Sequence, residues 1–150
     1  MNSLRFFVEG IPAPKGSKKA FTRMNTTAVQ MVESSKKLPA WEAAVEPAAR
    51  EALLYSDSWE PHTSAPVVID IDFYLPEPKR IPVERRGRPT TKPDIDKLMR
   101  GVLDPLTVAG VWRDDSVVIG GCPFKLYGSP TGALISVREL PHATAGAAAA

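Results

Sequence analysis

Residues 66–75, PVVIDIDFYL, alternate between apolar and polar side chains, and this alternation decides the class of fold. Successive side chains of a β-strand point to opposite faces, so the pattern predicts a strand with one face in a core. The predicted core face carries Val67, Ile69, Ile71, Phe73 and Leu75. Asp70 and Asp72 fall on the other face, where the simplest interpretation is the solvated side of a sheet rather than a catalytic site.

Two helices are predicted, one on each side of this strand in the chain. From Pro39 to about Tyr55, apolar residues recur three and four positions apart, although Pro47 predicts a kink or a late start. After the strand, the clearest helical period of the chain runs through Ile95, Leu98, Met99, Val102, Leu103 and Leu106.

The remaining segments predict further strands and one long loop. Residues 4–9 and 27–32 have strand-like patterns, and residues 117–128 with 133–140 predict a hairpin closed by the turn GSPTG. Residues 76–93, PEPKRIPVERRGRPTTKP, are rich in proline and arginine and predict a mobile loop. The fold class is therefore α/β (α+β), with two main helices.

Length and composition indicate one soluble domain. The 150 residues are 43% hydrophobic and 24% charged, which excludes disorder of the whole chain. Residues 1–140 are expected to form the domain, and residues 141–150 an alanine-rich disordered tail. No apolar run approaches the roughly 20 residues of a membrane span, so we expect a cytoplasmic protein with no membrane partner.

The metal-binding side chains exclude zinc and favour a cation held by oxygen. Cys122 is the single cysteine and is expected to be buried, and only His62 and His142 could join it as zinc ligands. Any metal must therefore be held by carboxylates, which favours Mg²⁺, with Mn²⁺ as a substitute.

Positive charge is concentrated in two segments. Lys15, Lys18, Lys19 and Arg23 give residues 13–23 a charge of +4. Six cations against two glutamates give residues 76–92 another +4, which leaves −6 elsewhere because the chain carries +2. Two basic segments on an otherwise acidic protein favour a partner with spaced negative charge, such as nucleic acid, although two solvated cationic loops would give the same pattern.

The stretch TTKPDIDKLMR, residues 90–100, places Asp94 and Asp96 where extended backbone gives way to a helix. That geometry can direct both carboxylates to one side, whereas on a helix they would diverge by about 200°. Alternatively, Asp96 only caps the helix and Asp94 is solvated. Asp114 and Asp115 follow the helix and a turn, and could return beside its start or form a polar turn. Converging carboxylates of this kind usually hold a divalent cation.

The run KPDIDKLMRGVLDPLTVAGVWRDDSVV, residues 92–118, resembles the core signature of the RusA family of Holliday junction resolvases, which phages and prophages often encode. The opening VEGIPAPKGSKKAF also resembles that family. The resemblance implies a mixed sheet, a homodimer, branched DNA or a four-way junction as substrate, and no nucleotide cofactor. It implies Mg²⁺ ligands at Asp94, Asp96 and Asp115, with Asp114 beside them and Asp104 at a further family position of open role.

One departure from the family concerns a functional lysine on the helix, because the matching residue is Arg100. Arginine keeps its proton, so it can stabilise phosphate charge but cannot act as a base. Either the family role is electrostatic, or Lys97 substitutes, or this protein is a slower enzyme. A second departure is GSKKAF, where the family tends to have arginine and proline. The DNA-binding residues expected are Lys15, Lys18, Lys19, Arg85, Arg86, Arg88, Lys92 and Lys97.

Two other functions fit parts of these patterns. The chain could bind branched DNA without cutting it, which Arg100 would favour. A DxD motif also occurs in metal-dependent transferases that use nucleotide-linked substrates, although 150 residues hardly accommodate such a fold.

Overall fold

A computed structural model describes residues 2–16, 19–22, 29–32 and 36–143 of the chain. The predicted tail from residue 144 onward and Lys18 lie outside the described residues. The strands and helices, in chain order, are β1 Ser3–Glu9, β2 Lys19–Thr22, β3 Val29–Val32, α1 Leu38–Tyr55, β4 Val67–Leu75, α2 Ile95–Ala109, β5 Val118–Gly120, β6 Pro123–Tyr127 and β7 Gly132–Glu139.

Within the described residues, the main sheet is mixed and has five strands. Its order is β1-β7-β4-β5, and β6 pairs with β4 on the same side as β5. β7 runs antiparallel to both β1 and β4, whereas β5 and β6 run parallel to β4. β2 and β3 form a separate antiparallel pair. The mixed α+β architecture expected from the sequence is thereby confirmed.

The predicted hairpin between the last two strands is wrong. β6 and β7 both pair with β4, which lies between them, so they are not neighbours. Gly128 N–H donates to the Leu75 carbonyl as the connection passes the end of β4. A short turn between two strand-like segments suggested direct pairing, but β4 supplies a longer apolar partner for each of them.

Strand β4 has the burial that its sequence predicts. Val67, Ile69, Ile71 and Phe73 are fully buried, and the alternate residues are only half-buried. Asp70 and Asp72 lie on the half-buried side, as expected for a sheet face that is not packed on the core. Asp70 accepts a hydrogen bond from Cys122 N–H at 2.9 Å. Cys122 itself is exposed, so its predicted burial is wrong, because it lies in the break between β5 and β6.

Helices α1 and α2 pack on each other, and they contact β1 and β6 respectively. The core between helices and sheet contains Trp41, Val45, Leu98, Val102 and Leu106. Pro47 does not break α1, because both it and Ala43, whose carbonyl loses the hydrogen bond, lie on the exposed side where water can replace that bond. In the part of the chain that the structure describes, no helix combines the length and the hydropathy of a membrane-spanning segment.

Residues 10–16, which we call the N-terminal strap, lie along α2. Lys15 N–H donates to the Lys97 carbonyl at 2.9 Å, and the Lys15 ammonium pairs with Asp104. Gly101 allows this approach, because a Cβ there would lie 2.5 Å from the Ala13 carbonyl oxygen. The strap therefore reaches the side of α2 next to its N-terminal turn.

Candidate active site

Asp94 and Asp96 lie at the N-terminal end of α2, as the sequence predicts. Helix α2 begins at Ile95, and Asp94 occupies the N-cap position with extended backbone, φ −71° and ψ 142°. The alternative in which Asp96 caps the helix is wrong, because Asp96 lies inside the first turn. The Asp94 side chain forms no capping hydrogen bond, so its carboxylate remains available to other partners. Negative charge at this end is favourable, since helix N-termini carry partial positive charge.

Each of these carboxylates is near a cation from the next turn of α2. The Lys97 ammonium lies 3.3 Å from an Asp94 oxygen, and the Arg100 guanidinium lies 3.8 Å from an Asp96 oxygen. The Asp96 side chain is 63% exposed and the Asp94 side chain 48%. Exposed pairs of this kind contribute only about 0–1 kcal/mol, so a stronger ligand can replace them.

Asp114 and Asp115 are held by a tightly anchored turn after α2. Gly110 ends the helix in the left-handed conformation at φ 88°. The buried Trp112 donates from its indole nitrogen to the Thr107 hydroxyl at 2.7 Å, and Arg113 N–H donates to the Thr63 carbonyl at 3.0 Å. Residues 110–112, GVW, thereby fix the position of the backbone that leads into Asp114 and Asp115.

Asp114 and Asp115 have different environments. Asp114 caps a short 3₁₀ turn, Asp115–Val117, by accepting a hydrogen bond from Ser116 N–H at 2.8 Å. Hydrogen bonds from the Ser116 side chain and backbone lower the pKa of Asp114 below its ordinary value. Asp115 is half-buried at the start of the turn, which contacts α2. Asp114 therefore has a structural role that Asp115 does not share.

The candidate aspartates do not form a three-ligand metal site within the described residues of one chain. No group of three or more His, Cys, Asp or Glu side chains in this part of the chain is placed to hold a metal ion. Magnesium, however, often takes one or two protein carboxylates together with water and substrate phosphate oxygens. Asp94 and Asp96 are both exposed at the start of α2, and so could supply the one or two carboxylates of such a donor set.

The basic residues predicted to bind DNA are not equivalent. Arg85 and Arg88 are exposed, whereas Arg86 forms an ion pair with Glu77 and donates to the Ile81 carbonyl at 2.7 Å. Lys92 is exposed, next to the start of α2. Lys19 belongs to β2, Lys18 lies outside the described residues, and Lys15 and Lys97 contact α2 carboxylates as given above.

The sequence interpretation missed two lysines, Lys36 and Lys37. They precede helix α1 and line a cavity that also contains Asp94. The sequence signal that could have identified them is a pair of adjacent lysines just before Leu38 and Pro39, the first two residues of α1. Nothing local in the sequence, however, relates the start of α1 to the start of α2.

Two comparisons with known proteins agree with this arrangement. The family model described as Endodeoxyribonuclease RusA matches residues 10–138, which include the N-terminal strap, both helices and all four candidate aspartates. The chain is also 27% identical over 149 residues to the uncharacterized protein YqaN of Bacillus subtilis (strain 168), covering 93% of this chain and 99% of that protein.

Proposed function

Because this chain belongs to the RusA family of endodeoxyribonucleases, which act on Holliday junctions, we propose that it is a magnesium-dependent nuclease that resolves Holliday junctions and other branched DNA by paired phosphodiester hydrolysis. The observation that carries the proposal is the exposed pair Asp94 and Asp96 at the start of α2, inside the matched region. A sequence match to the family alone would not show whether the carboxylates that could bind a metal ion are accessible.

Asp94 and Asp96 are the residues proposed to hold Mg²⁺, or Mn²⁺ in its place. A bound ion of this kind lowers the pKa of water and offsets negative charge at phosphorus. Asp115 is proposed as a further ligand, contributed when DNA or a second chain is bound. Asp114 is proposed to assist chiefly by capping the turn that positions Asp115.

Arg100 is proposed to stabilise negative charge on the phosphate. Its guanidinium lies 3.8 Å from Asp96, so it is adjacent to the proposed ligands, and it remains protonated throughout. Lys97 lies 3.3 Å from Asp94 and is the nearer lysine for any role that needs proton transfer. Arg100 thereby supplies a permanent positive charge. It can replace the family lysine in stabilising phosphate charge, but not in proton transfer.

The phosphate-binding residues are proposed from their exposure and position. Arg85, Arg88 and Lys92 are exposed in the segment that precedes α2 and are the first candidates. Arg86 would need to exchange Glu77 for phosphate. Lys15 is held by Asp104, which gives that aspartate a positioning role. Lys18, Lys19 and Lys97 complete the proposed set.

We also propose a homodimer formed through the sheet face opposite the helices. This face exposes Phe7 and Phe124, which are 40% and 54% exposed. The strand register places Arg5 and Asp70 on this same face, so it carries both signs of charge. In a two-fold symmetric dimer, the same surface of each subunit forms the interface. A face that carries both positive and negative charge can therefore pair with the same face of a second copy.

The direct test is cleavage of a synthetic four-way junction. With Mg²⁺ present, the protein should cut two opposed strands and leave a linear duplex of the same sequence intact. Removal of the metal with EDTA should stop cutting, and Mn²⁺ should restore it. Junction binding should also weaken steeply with salt. The logarithm of the affinity should fall by about 0.9 per tenfold rise in salt concentration for each phosphate contacted.

A catalytically weak or inactive branched-DNA-binding protein of the same fold is the second candidate. It is favoured by Arg100 in place of the family lysine. It is also favoured because, within the described residues, no three His, Cys, Asp or Glu side chains are grouped to hold a metal ion. Tight junction binding without cutting in either Mg²⁺ or Mn²⁺ would establish this candidate and overturn the first.

A further inference from the structure

A cavity of about 790 Å³ lies directly beside Asp94. Five parts of the chain form its walls: the N-terminal strap, the residues just before α1, the end of β4 with the loop that follows, Tyr127 at the end of β6, and the residues before α2 with its first turn. Lys125 holds the last of these walls, because its ammonium donates to the carbonyls of Thr91 and Pro93 at 2.8 and 3.0 Å. The cavity is therefore built by non-local contacts rather than by one loop.

The charged residues that line this cavity are almost all cations. Lys36, Lys37, Lys92 and Lys97 stand against the single acid Asp94. Helix α1 also begins here, since Lys37 is its N-cap residue and makes no side-chain capping hydrogen bond. The positive charge at the start of α1 has no role in the proposed metal site. It favours binding of an anion in the cavity beside Asp94.

The remaining walls are apolar and include one aromatic ring. Prolines from the strap and from the long loop line the cavity together with Ile11, Leu75 and Tyr127. Cavities of roughly 300–1,000 Å³ hold ligands of small-molecule size, which corresponds to one or two nucleotides and not to a duplex. Cations with apolar and aromatic walls are the combination that binds unpaired nucleotides, because the backbone meets the charges and the base stacks on the ring.

We infer that this cavity receives an unpaired nucleotide next to the phosphate held at Asp94 and Asp96. Lys36 and Lys37 bind the phosphate of that nucleotide, and Tyr127 with the proline walls contacts its base. This inference rests on the proposed function and extends it to a source of substrate selectivity. A base at a branch point unpairs at a lower cost than a base inside a duplex, so the cavity favours branched DNA.

Charge reversal on one helix provides a matched test. Lys37→Glu changes the cavity and adds negative charge at a helix N-terminus, which does not destabilise α1. Arg50→Glu makes the same change of charge 13 residues further along α1, about 20 Å away and beyond the roughly 10 Å reach of charge effects in 0.1 M salt. Arg50 pairs with Glu46 and donates to the Val108 carbonyl at 3.1 Å, so this control loses two exposed surface interactions.

Both variants should be compared in full-length protein that also carries Asp96→Asn, so that the DNA stays uncut. The probe is a four-way junction with 2-aminopurine at the branch point, with a linear duplex for comparison. Lys37→Glu should weaken junction binding about tenfold and lower the salt slope by about 0.7 to 0.9, as expected for one lost phosphate contact. Arg50→Glu should change binding less than twofold.

Variants at Tyr127 test the contact with the base. Tyr127→Leu should lose the fluorescence change of 2-aminopurine and weaken junction binding by roughly 5- to 150-fold, while Tyr127→Phe should retain both. Equal effects of Lys37→Glu and Arg50→Glu, or an unchanged junction preference in Tyr127→Leu, would overturn the inference. If the wild type still cuts junctions in that case, the proposed function stands; a wild type that neither binds nor cuts them overturns both.

Discussion

Replacing Gly101 by alanine tests how the N-terminal strap is held against α2. Alanine is favoured over glycine inside a helix by about 1 kcal/mol, so local propensity alone predicts a more stable protein. The structure predicts the opposite, because the new Cβ would lie 2.5 Å from the Ala13 carbonyl oxygen. This atom belongs to the backbone of the fully buried Ala13 and cannot rotate away as the end of a side chain would.

The expected loss of stability in Gly101→Ala follows from the contacts between the strap and α2 that the new Cβ would disturb. Overpacking a close interface costs about 1–3 kcal/mol, and displacing the strap would also strain the hydrogen bond from Lys15 to the Lys97 carbonyl, worth about 1 kcal/mol. After the gain in propensity is subtracted, Gly101→Ala should lower the free energy of unfolding by about 2 kcal/mol. For a slope of about 2 kcal/mol per molar, the urea midpoint should fall by about 1 M.

Gly87→Ala is the matched control, since no heavy atom lies within 4 Å of a Cβ at that position. Its free energy of unfolding should stay within about 0.5 kcal/mol of the wild type or rise slightly, because alanine restricts the unfolded chain. Urea denaturation followed by circular dichroism measures both variants. A Gly101→Ala protein more stable than the wild type by about 1 kcal/mol would refute the close packing of strap and helix.

Other parts of the structure give three further predictions. Trp112→Phe should lower the free energy of unfolding by about 2 kcal/mol in the same assay, because it removes the hydrogen bond to Thr107 and leaves a small cavity; an unchanged midpoint would contradict this. Ser116→Ala should move the pKa of Asp114 up toward its ordinary value in an NMR titration, since one hydrogen bond to the carboxylate is lost. Phe124→Glu should convert a dimer to a monomer in light scattering, and an unchanged mass would reject the proposed interface.

The elements with the strongest local pattern were predictable from the sequence. The alternation in β4 and the helical period of α2 describe which side chains are buried, and burial is decided mainly by hydrophobicity along the element itself. Asp94 and Asp96 were placed at the start of α2 for the same reason. Contacts between distant segments left no such pattern.

Most features that the sequence did not predict depend on partners far along the chain. β6 and β7 looked like a hairpin, but each pairs with β4. Lys15 was expected to bind DNA, and its pairing with Asp104, 89 residues away, was not predicted. Lys36 and Lys37 gain their position beside Asp94 only because α1 and α2 pack together with their N-terminal ends at one cavity.

The most direct test of the account is the rate at which Asp96→Asn cuts a four-way junction in Mg²⁺, measured beside the wild type and Asp57→Asn. Asp96 and Asp57 are both exposed, and asparagine keeps the shape of the side chain, so all three proteins should fold equally. The account predicts a fall of at least about 100-fold for Asp96→Asn, on the order expected when a key catalytic interaction is removed, and no change for Asp57→Asn. Equal cutting by all three proteins would contradict the assignment of the active site to the start of α2.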